Sequence, residues 1–316
     1  MQKRIATVVI VTKNRKESLR RAIDSALAQS GPVEVIVIDD ASTDGTAEMV
    51  SSEYRTVVFH RSPESLGYIV QRNRAAKLSS GEIIVSIDDD AEFSSCHVVE
   101  RTVADFCHDR IGAVAIPYVE PNKGTDVFQH APDIENIWVT DSFRGTAYAL
   151  RRDLFVALHG YREHFVHQGE EMDYCIRLLQ SGFVTRLGSA DVIYHYESSK
   201  RDNPKLAYYG RRNDVLFAGH NVPFRSLPLH LIATTLNGLR TAIRGPHPDQ
   251  MLLGALAGYR DLISYRDQRA PVSGAIYRLY RWLKKKGPLR LQDIEGALPL
   301  ANSRQPNNAT AKSATS

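Results

Sequence analysis

The chain has 316 residues, 43% of them hydrophobic and 24% charged, with a formal net charge of +4. That length holds one large α/β domain with an appendage or two ordinary domains, and the apolar content excludes a chain that is disordered throughout. So small a net charge gives no ground for nucleic-acid binding. The three cysteines, Cys96, Cys107 and Cys175, are odd in number and lack zinc spacing, so they imply no disulfide framework and fit a reducing cytoplasm.

In chain order, residues 6–12 (ATVVIVT) form a continuous β-branched run, the pattern of a strand covered on both faces. Basic residues precede it, but it is only about seven residues long and leads straight into Lys13-Asn14-Arg15, so it does not read as a secretion signal. Residues 15–30 repeat apolar side chains at helical spacing, at Leu19, Ala22, Ile23, Ala26 and Leu27, until Gly31-Pro32 stops them. A second buried strand is expected at 33–40 (VEVIVIDD), then a helix beginning in STDGT, a short strand at 56–61, a helix at 68–80 and a strand at 82–88. Continuous apolar strands alternating with helices predict a parallel, doubly wound α/β sheet over residues 1–115. Farther on, 111–119 reads as strand, RGTAYALRRDLFVALHGY as a short strand and a helix, and EEMDYCIRLLQSGF as a helix whose acidic first turn suits its dipole. VTRLGSADVIYHYES returns as strand. Helices dominate from about 204, and the small polar residues beyond 290 predict a disordered tail over 291–316. No segment reaches the roughly 18 uninterrupted apolar residues of a spanning helix.

Ligands of doubly wound sheets bind at the carboxyl ends of the strands, where Asp39-Asp40 and Asp88-Asp89-Asp90 both fall. Three adjacent carboxylates repel one another, so the run is either a solvated turn or the seat of something positive. Successive side chains of an extended backbone point to opposite sides, which lets Asp88 and Asp90 share a side while Asp89 faces away. Two carboxylates and several waters suit Mg²⁺ or Mn²⁺, hard ions that also bind substrate phosphates.

Five stretches, in this order and spacing, resemble family 2 glycosyltransferases: TVVIVTKNR, VEVIVIDDASTDGT, SLGYIVQRNRAAKLSSGEIIVSIDDD, FRGTAYALRRDLFVALHGYREHF and GEEMDYCIRLLQSGF. The resemblance covers about 1–220. It implies a GT-A fold, with a mixed, mainly parallel sheet flanked by helices, a nucleotide-diphosphate sugar donor, and inverting transfer to an acceptor hydroxyl. It assigns Asp39 to the nucleobase, with Asp40 beside it as a further contact or a turn cap. The D-x-D motif maps to Asp88 and Asp90, with Asp90 the metal ligand and Asp88 toward the ribose or the metal's water shell. Thr12 and Arg72 fall where the family meets the nucleoside, although an arginine on a helix also suits plain solvation. His195 falls near the metal and diphosphate, where a neutral imidazole completes a metal site. Where the family usually has Glu-Asp, with the aspartate as base, this chain has Glu170-Glu171. Glu171 therefore takes the base position and Glu170 orients substrate or acceptor.

Other residues are assigned less directly. Asp173 is a candidate for holding the acceptor, Arg211 and Arg212 for neutralising the diphosphate, and Gly145 for a close approach of backbone to sugar or acceptor. The family favours UDP or dTDP over GDP. The expected organisation is a catalytic domain over 1–220, a helical, basic C-terminal extension over 221–290, and the tail. The helix 275–290 carries six basic residues, no acidic ones, and Tyr277, Tyr280 and Trp282, a composition of the membrane interface or of a solvated packed helix. It suggests a cytoplasmic protein in loose contact with the inner face of the plasma membrane, acting on a glycan or lipid-linked acceptor. Two other classes compete: a metal-dependent nucleotidyltransferase or phosphotransferase, which leaves GEEMDYC without a role, and a silent sugar-nucleotide binder or scaffold.

Overall fold

The structure, a computed structural model, describes residues 5–197 and 204–301. The first half alternates as the sequence predicts: β1 (Ala6–Thr12), α1 (Lys16–Leu27), β2 (Val33–Asp39), α2 (Thr46–Glu53), β3 (Val58–Arg61), α3 (Tyr68–Leu78) and β4 (Ile83–Asp88). There follow β5 (Ala91–Phe93), α4 (Val98–Ala104), β6 (Ile111–Ala115), β7 (Tyr118–Val119), β8 (Val127–Phe128), β9 (Trp138–Thr140), β10 (Ala147–Arg151) and α5 (Arg152–Ala157). Next come α6 (Glu170–Gln180), β11 (Val184–Leu187), β12 (Ile193–His195), α7 (Pro204–Asn221), α8 (Leu227–Arg244), α9 (Pro248–Ser264), α10 (Gly274–Lys286), β13 (Leu289–Arg290) and α11 (Leu291–Ile294).

Among the described residues, nine strands form one sheet in the order β13-β9-β11-β6-β10-β4-β1-β2-β3. Strands β4, β1, β2 and β3 are mutually parallel, and antiparallel pairs enter beyond β4 at β10. A smaller sheet in the order β5-β12-β7-β8 stands beside the carboxyl end of β4. The continuous apolar runs are explained by burial on both faces. Val8, Ile10, Val35, Val37 and Val85 enter one core cluster, while Val9, Ile36, Ile38 and Ile84 enter the cluster on the other side. The stripe of α1 buries Leu19, Ala22, Ile23 and Ala26 as expected, whereas Leu27, at its last turn, stays exposed.

Two long strands of the sequence reading are each broken in two. Residues 111–119 leave the main sheet at Ile116-Pro117 and re-pair as β7, and 184–195 bends at residues 188–192 so that β12 joins the small sheet. The expected tail also starts later than 291. Leu291, Ile294 and Leu298 are buried, and β13 extends the main sheet through Leu289↔Val139. The part of the tail from 302 on lies outside the described residues. The segment at α10 is helical and basic as read, but Tyr277 and Tyr280 lie in the core with Ile276, Leu279 and Leu283. Only Trp282 of its three aromatics faces out.

Candidate active site

The acidic run stands where β4 ends, and pairing between β5 and β12 sets its geometry. The register Ala91↔His195 brings a histidine a hundred residues downstream beside Asp90, and Tyr196 N–H closes the corner on the Asp90 carbonyl at 2.9 Å. Asp88, Asp90 and His195 offer three ligand atoms within 4.8 Å of one another. His195 Nε2 is 3.3 Å from Asp90 Oδ1 and 3.8 Å from Asp88 Oδ2, while its Nδ1 faces Glu120 Oε1 at 3.5 Å. Asp89 turns away, as the alternation predicts, and accepts a 2.8 Å hydrogen bond from Thr12 Oγ1.

Protein cations already lie against this run. Arg15 pairs with Asp90 and, at 3.2 Å, with Asp89, and Arg72 Nη2 holds Asp88 Oδ1 at 2.8 Å. Burial opposes charge on Asp90, but the contacts with His195 and Arg15 outweigh it and hold the carboxyl down at about 2. Burial wins at Asp89 and lifts it to about 7 in spite of Arg15. At His195 burial is outweighed by the Asp90 hydrogen bond and the Asp88 and Asp90 charges, which keep the ring above its ordinary value. Two carboxylates and one imidazole, converging from two sheets, fit a hard divalent cation that retains open positions for phosphate oxygens.

Facing this run is the start of α6. Glu170 is fully buried, and among the described residues neither of its carboxyl oxygens has a hydrogen-bond partner; Arg72 Nη1 stands 3.5 Å from Oε1. Burial, reinforced by the charge of Glu171, pushes Glu170 well above the usual carboxylate range. Glu171 is half-buried, and it too is raised by burial, with Arg72 opposing. Arg72 is therefore the cross-brace of the site. It is buried, donates 2.8 Å bonds to Asp88 and to the Gly145 carbonyl, and lies over the Tyr68 and Tyr148 rings at 4.8 and 5.7 Å. Gly145 is required for room: a Cβ there would come within 2.7 Å of Glu171 Oε1 and 2.9 Å of Arg72 Nη1.

The remaining sequence candidates divide. Asp39 is fully buried, accepts from Ser42 N–H at 2.9 Å, and keeps Oδ2 without a hydrogen bond, with Arg61 Nε 3.4 Å away. It thus has acceptor capacity to spare at the carboxyl end of β2. Asp40 does not: it accepts from Ser65 Oγ, Leu66 N, Gly67 N and Gln71 Nε2 at 2.6–3.1 Å, so it fastens the loop entering α3. Thr12 spends its hydroxyl on Asp89. Arg72 is neither solvated nor free for a nucleoside.

Asp173 is buried and turned from the cleft, bound to Arg162, to Arg177 Nε at 3.0 Å and to Asn221 Nδ2 at 2.7 Å. Burial opposes its charge, and the two arginines nonetheless hold it at about 2. Arg212 is likewise an internal clamp, on Asp261 at 2.7 Å and the His164 carbonyl at 2.9 Å, and Arg211 pairs with Asp214 at 2.8 Å and rests against Gly238 of α8. Among the described residues, neither meets the acidic run in a hydrogen bond or ion pair, their partners being Asp261, His164, Asn213 and Asp214. Sequence reasoning missed Arg15, Glu120 and Tyr68. Arg15 was the most accessible of these, because a basic residue just beyond the end of β1 sits next to the end of β4.

An acidic pair at the end of a central strand, braced to a carboxylate pair at a helix start, is the arrangement of glycosyltransferases with the GT-A fold. Comparison with known proteins bears out the family and the fold. Residues 7–163 match the family described as Glycosyl transferase family 2, and the chain belongs to that family. It is 27% identical over 221 residues to YwdF, an uncharacterized glycosyltransferase of Bacillus subtilis, covering 66% of this chain and 81% of that one. It is also 27% identical over 168 residues to the O-antigen chain rhamnosyltransferase WbaN of Salmonella anatum, covering 48% of this chain and about half (53%) of that one. The fold is shared with the mannosyltransferase PcManGT of Pyrobaculum calidifontis, solved with GDP-Man and Mn²⁺, at a TM-score of 0.55, 19% identity and coverage of 89% and 87%. It is shared with residues 1–349 of S. aureus TarS at a TM-score of 0.60, 15% identity and coverage of 93% and 90%.

Proposed function

We propose that this glycosyltransferase is metal-dependent and inverting. It would move a sugar from a nucleotide-diphosphate donor, with UDP or dTDP favoured, to an acceptor hydroxyl on a glycan or lipid-linked acceptor in cell-envelope, O-antigen or exopolysaccharide synthesis. The observation that carries the reading is Arg72. One guanidinium joins Asp88 of the candidate metal-ligand set to Glu170, beside Glu171 at the start of α6, which supports a single sugar spanning both. Relatives in O-antigen and succinoglycan synthesis favour the biological setting.

In this reading Asp88, Asp90 and His195 would hold Mg²⁺ or Mn²⁺, which would supply positive charge to stabilise the leaving diphosphate. Asp39 Oδ2 accepts an N–H of the nucleobase. Glu171 takes the proton of the acceptor hydroxyl, whose oxygen forms the new bond to the anomeric carbon as the bond to the diphosphate breaks and the nucleoside diphosphate leaves. A carboxyl lifted by burial is a stronger base than a solvated one once ionised, and the Arg72 charge opposes that lift. Glu170 acts through Arg72 as a positioning residue. A cytoplasmic location, with the acceptor held at the inner leaflet, completes the proposal.

The test is a panel of nucleotide sugars with Mn²⁺, read as donor hydrolysis and as donor binding. Free sugar and nucleoside diphosphate are expected. Asp90→Ala abolishes turnover and metal-dependent donor binding, and Glu171→Gln abolishes turnover while donor affinity stays. Pyrophosphate or nucleoside monophosphate among the products, or donor binding without turnover in the wild type, refutes the assignment.

A further inference from the structure

Helices α8 and α9 form an antiparallel hairpin joined by residues 245–247, and its outer surface is apolar. On α8, Leu229, Ile232, Leu236, Leu239 and Ile243 recur every three or four residues and so form one stripe; each is 47–76% exposed. On α9, Leu252, Leu256, Tyr259 and Ile263 repeat the spacing and are 36–68% exposed. The opposite faces of both helices are turned to the protein. Gly254 and Gly258 seat α9 on the Tyr208 and Arg212 carbonyls of α7, which a Cβ would meet at 2.1 and 2.7 Å, while Ala242 and Gly238 of α8 point inward. The hydrogen bond between Thr235 Oγ1 and Tyr259 OH, 2.6 Å, lies at the seam, beside both stripes, so in an antiparallel pair the two stripes adjoin on one side. A contiguous exposed apolar surface rimmed by polar residues marks a contact site.

We propose that this face is a membrane-docking surface and that its occupant is an anionic bilayer. Charge decides among occupants. From Val215 to Pro248 there is no aspartate or glutamate, while Arg225, Arg240 and Arg244 lie along or beside the α8 stripe. The 2.6 Å contact of His230 with Tyr277 brings the start of α8 against α10, which adds Arg281 and Lys284 to Lys286 to the rim. A second copy of the chain would set these cations against one another with only Asp249 free to oppose them on the hairpin, since Asp261 is held by Arg212 and Arg260. The C-terminal residues 302–316 contain no large apolar side chain with which to cover the face. Among the described residues no helix is long and apolar enough to cross a membrane. The hairpin therefore lies in the interface, apolar side down, with arginines at the headgroups. The contact assigned from sequence to the aromatics of α10 thus moves to α8 and α9, and α10 keeps only the electrostatic part.

Helix α7 ties this face to the site. On its other side, Asn213 Nδ2 donates to the carbonyls of Phe165, His167 and Gln168 at 2.8–2.9 Å, fixing the loop that enters α6. The hairpin and α7, two helix layers packed roughly 8–10 Å apart between axes, lie between lipid and that loop. This last link rests on the proposed transferase reading; the docking does not.

The experiment is flotation of the full chain with vesicles of phosphatidylcholine alone or mixed with phosphatidylglycerol, across a salt series. Binding is expected to be at least about tenfold tighter to the anionic vesicles and to weaken with salt. Leu236→Asp with Ile243→Asp lowers it by about tenfold or more, while donor hydrolysis and melting temperature stay at wild-type values. Arg240→Glu with Arg244→Glu removes the preference for phosphatidylglycerol. Equal binding to both vesicles, or unchanged binding of Leu236→Asp/Ile243→Asp, overturns the proposal. So does a dimer in ultracentrifugation that this variant dissociates, which would assign the face to a second copy. Loss of the transferase reading would show separately, as absent donor hydrolysis in a protein that still floats.

Discussion

Replacing Arg72 by methionine removes the one cation, among the described residues, in contact with both halves of the site while keeping most of its volume over Tyr68 and Tyr148. Two effects follow. Asp88 loses its 2.8 Å partner, and Glu170 is left buried beside Glu171 with no compensating charge. Breaking a buried ion pair from one side costs about 3–5 kcal/mol. The lower end applies here, because Glu170 is already pushed well above the usual range and relieves the strain by taking a proton. For a chain of this size a loss of about 3 kcal/mol lowers the melting temperature by about 4–5 °C. Since relief requires protonation, the drop is larger at pH 8 than at pH 6. Adding Glu170→Gln to Arg72→Met removes the orphaned charge, so the double variant melts above the single one, a non-additivity that a double-mutant cycle measures. Activity does not follow stability: the double variant stays slow, because nothing holds Asp88 and the Gly145 carbonyl. Scanning fluorimetry at the two pH values and donor hydrolysis at 25 °C read both quantities. If Arg72→Met melts within a degree or two of wild type at both pH values, or if the double variant is no more stable than the single one, the cross-brace account is wrong.

Gly145→Ala drives a methyl into Glu171 Oε1 and Arg72 Nη1, so turnover falls by about tenfold or more with a stability loss of about 1–3 kcal/mol, seen by steady-state kinetics and melting. Asp173→Asn, by contrast, disturbs the pair of arginines behind α6: a loss of about 3 kcal/mol is expected with donor KM unchanged, and a selective rise in acceptor KM would return Asp173 to the acceptor site. Acid lability has a defined origin in His164 and His220, whose ring nitrogens meet at 2.8 Å and which burial, seconded by Arg162, lowers to about 4 and about 3. Unfolded histidines take protons below about 6.5 and these do not until far lower, so their contribution is complete above that pH and is lost as pH falls from 6.5 toward 4. His220→Gln should flatten the melting temperature across that interval relative to wild type, and an unchanged slope would exclude the pair as the cause.

Much of this was legible because period-2 logic is local. The doubly buried strands, the position of Asp88 and Asp90 on one side of β4, and the turning away of Asp89 follow from backbone geometry alone. What failed depends on partners far along the chain. Asp173 and Arg212 look free until Arg162, Arg177 and Asp261 fold against them. Asp40 and Thr12 look like ligand contacts until the loop at 65–67 and Asp89 claim their hydrogen bonds. An amphipathic helix such as α10 has the same pattern whether its apolar face meets lipid or a core. Only the packing shows that Tyr277 and Tyr280 are inside, and that the outward apolar stripes belong to α8 and α9.

Because β5 is three residues long and finds its partner only in β12, the third member of the ligand set arrives late in synthesis. A ribosome that has released the first ninety residues has made the parallel strands and both aspartates, yet the nascent chain cannot close a three-donor cage until the segment around residue 195 emerges. On the proposed metal-dependent reading, tight capture of a cation would then mark completion of the site.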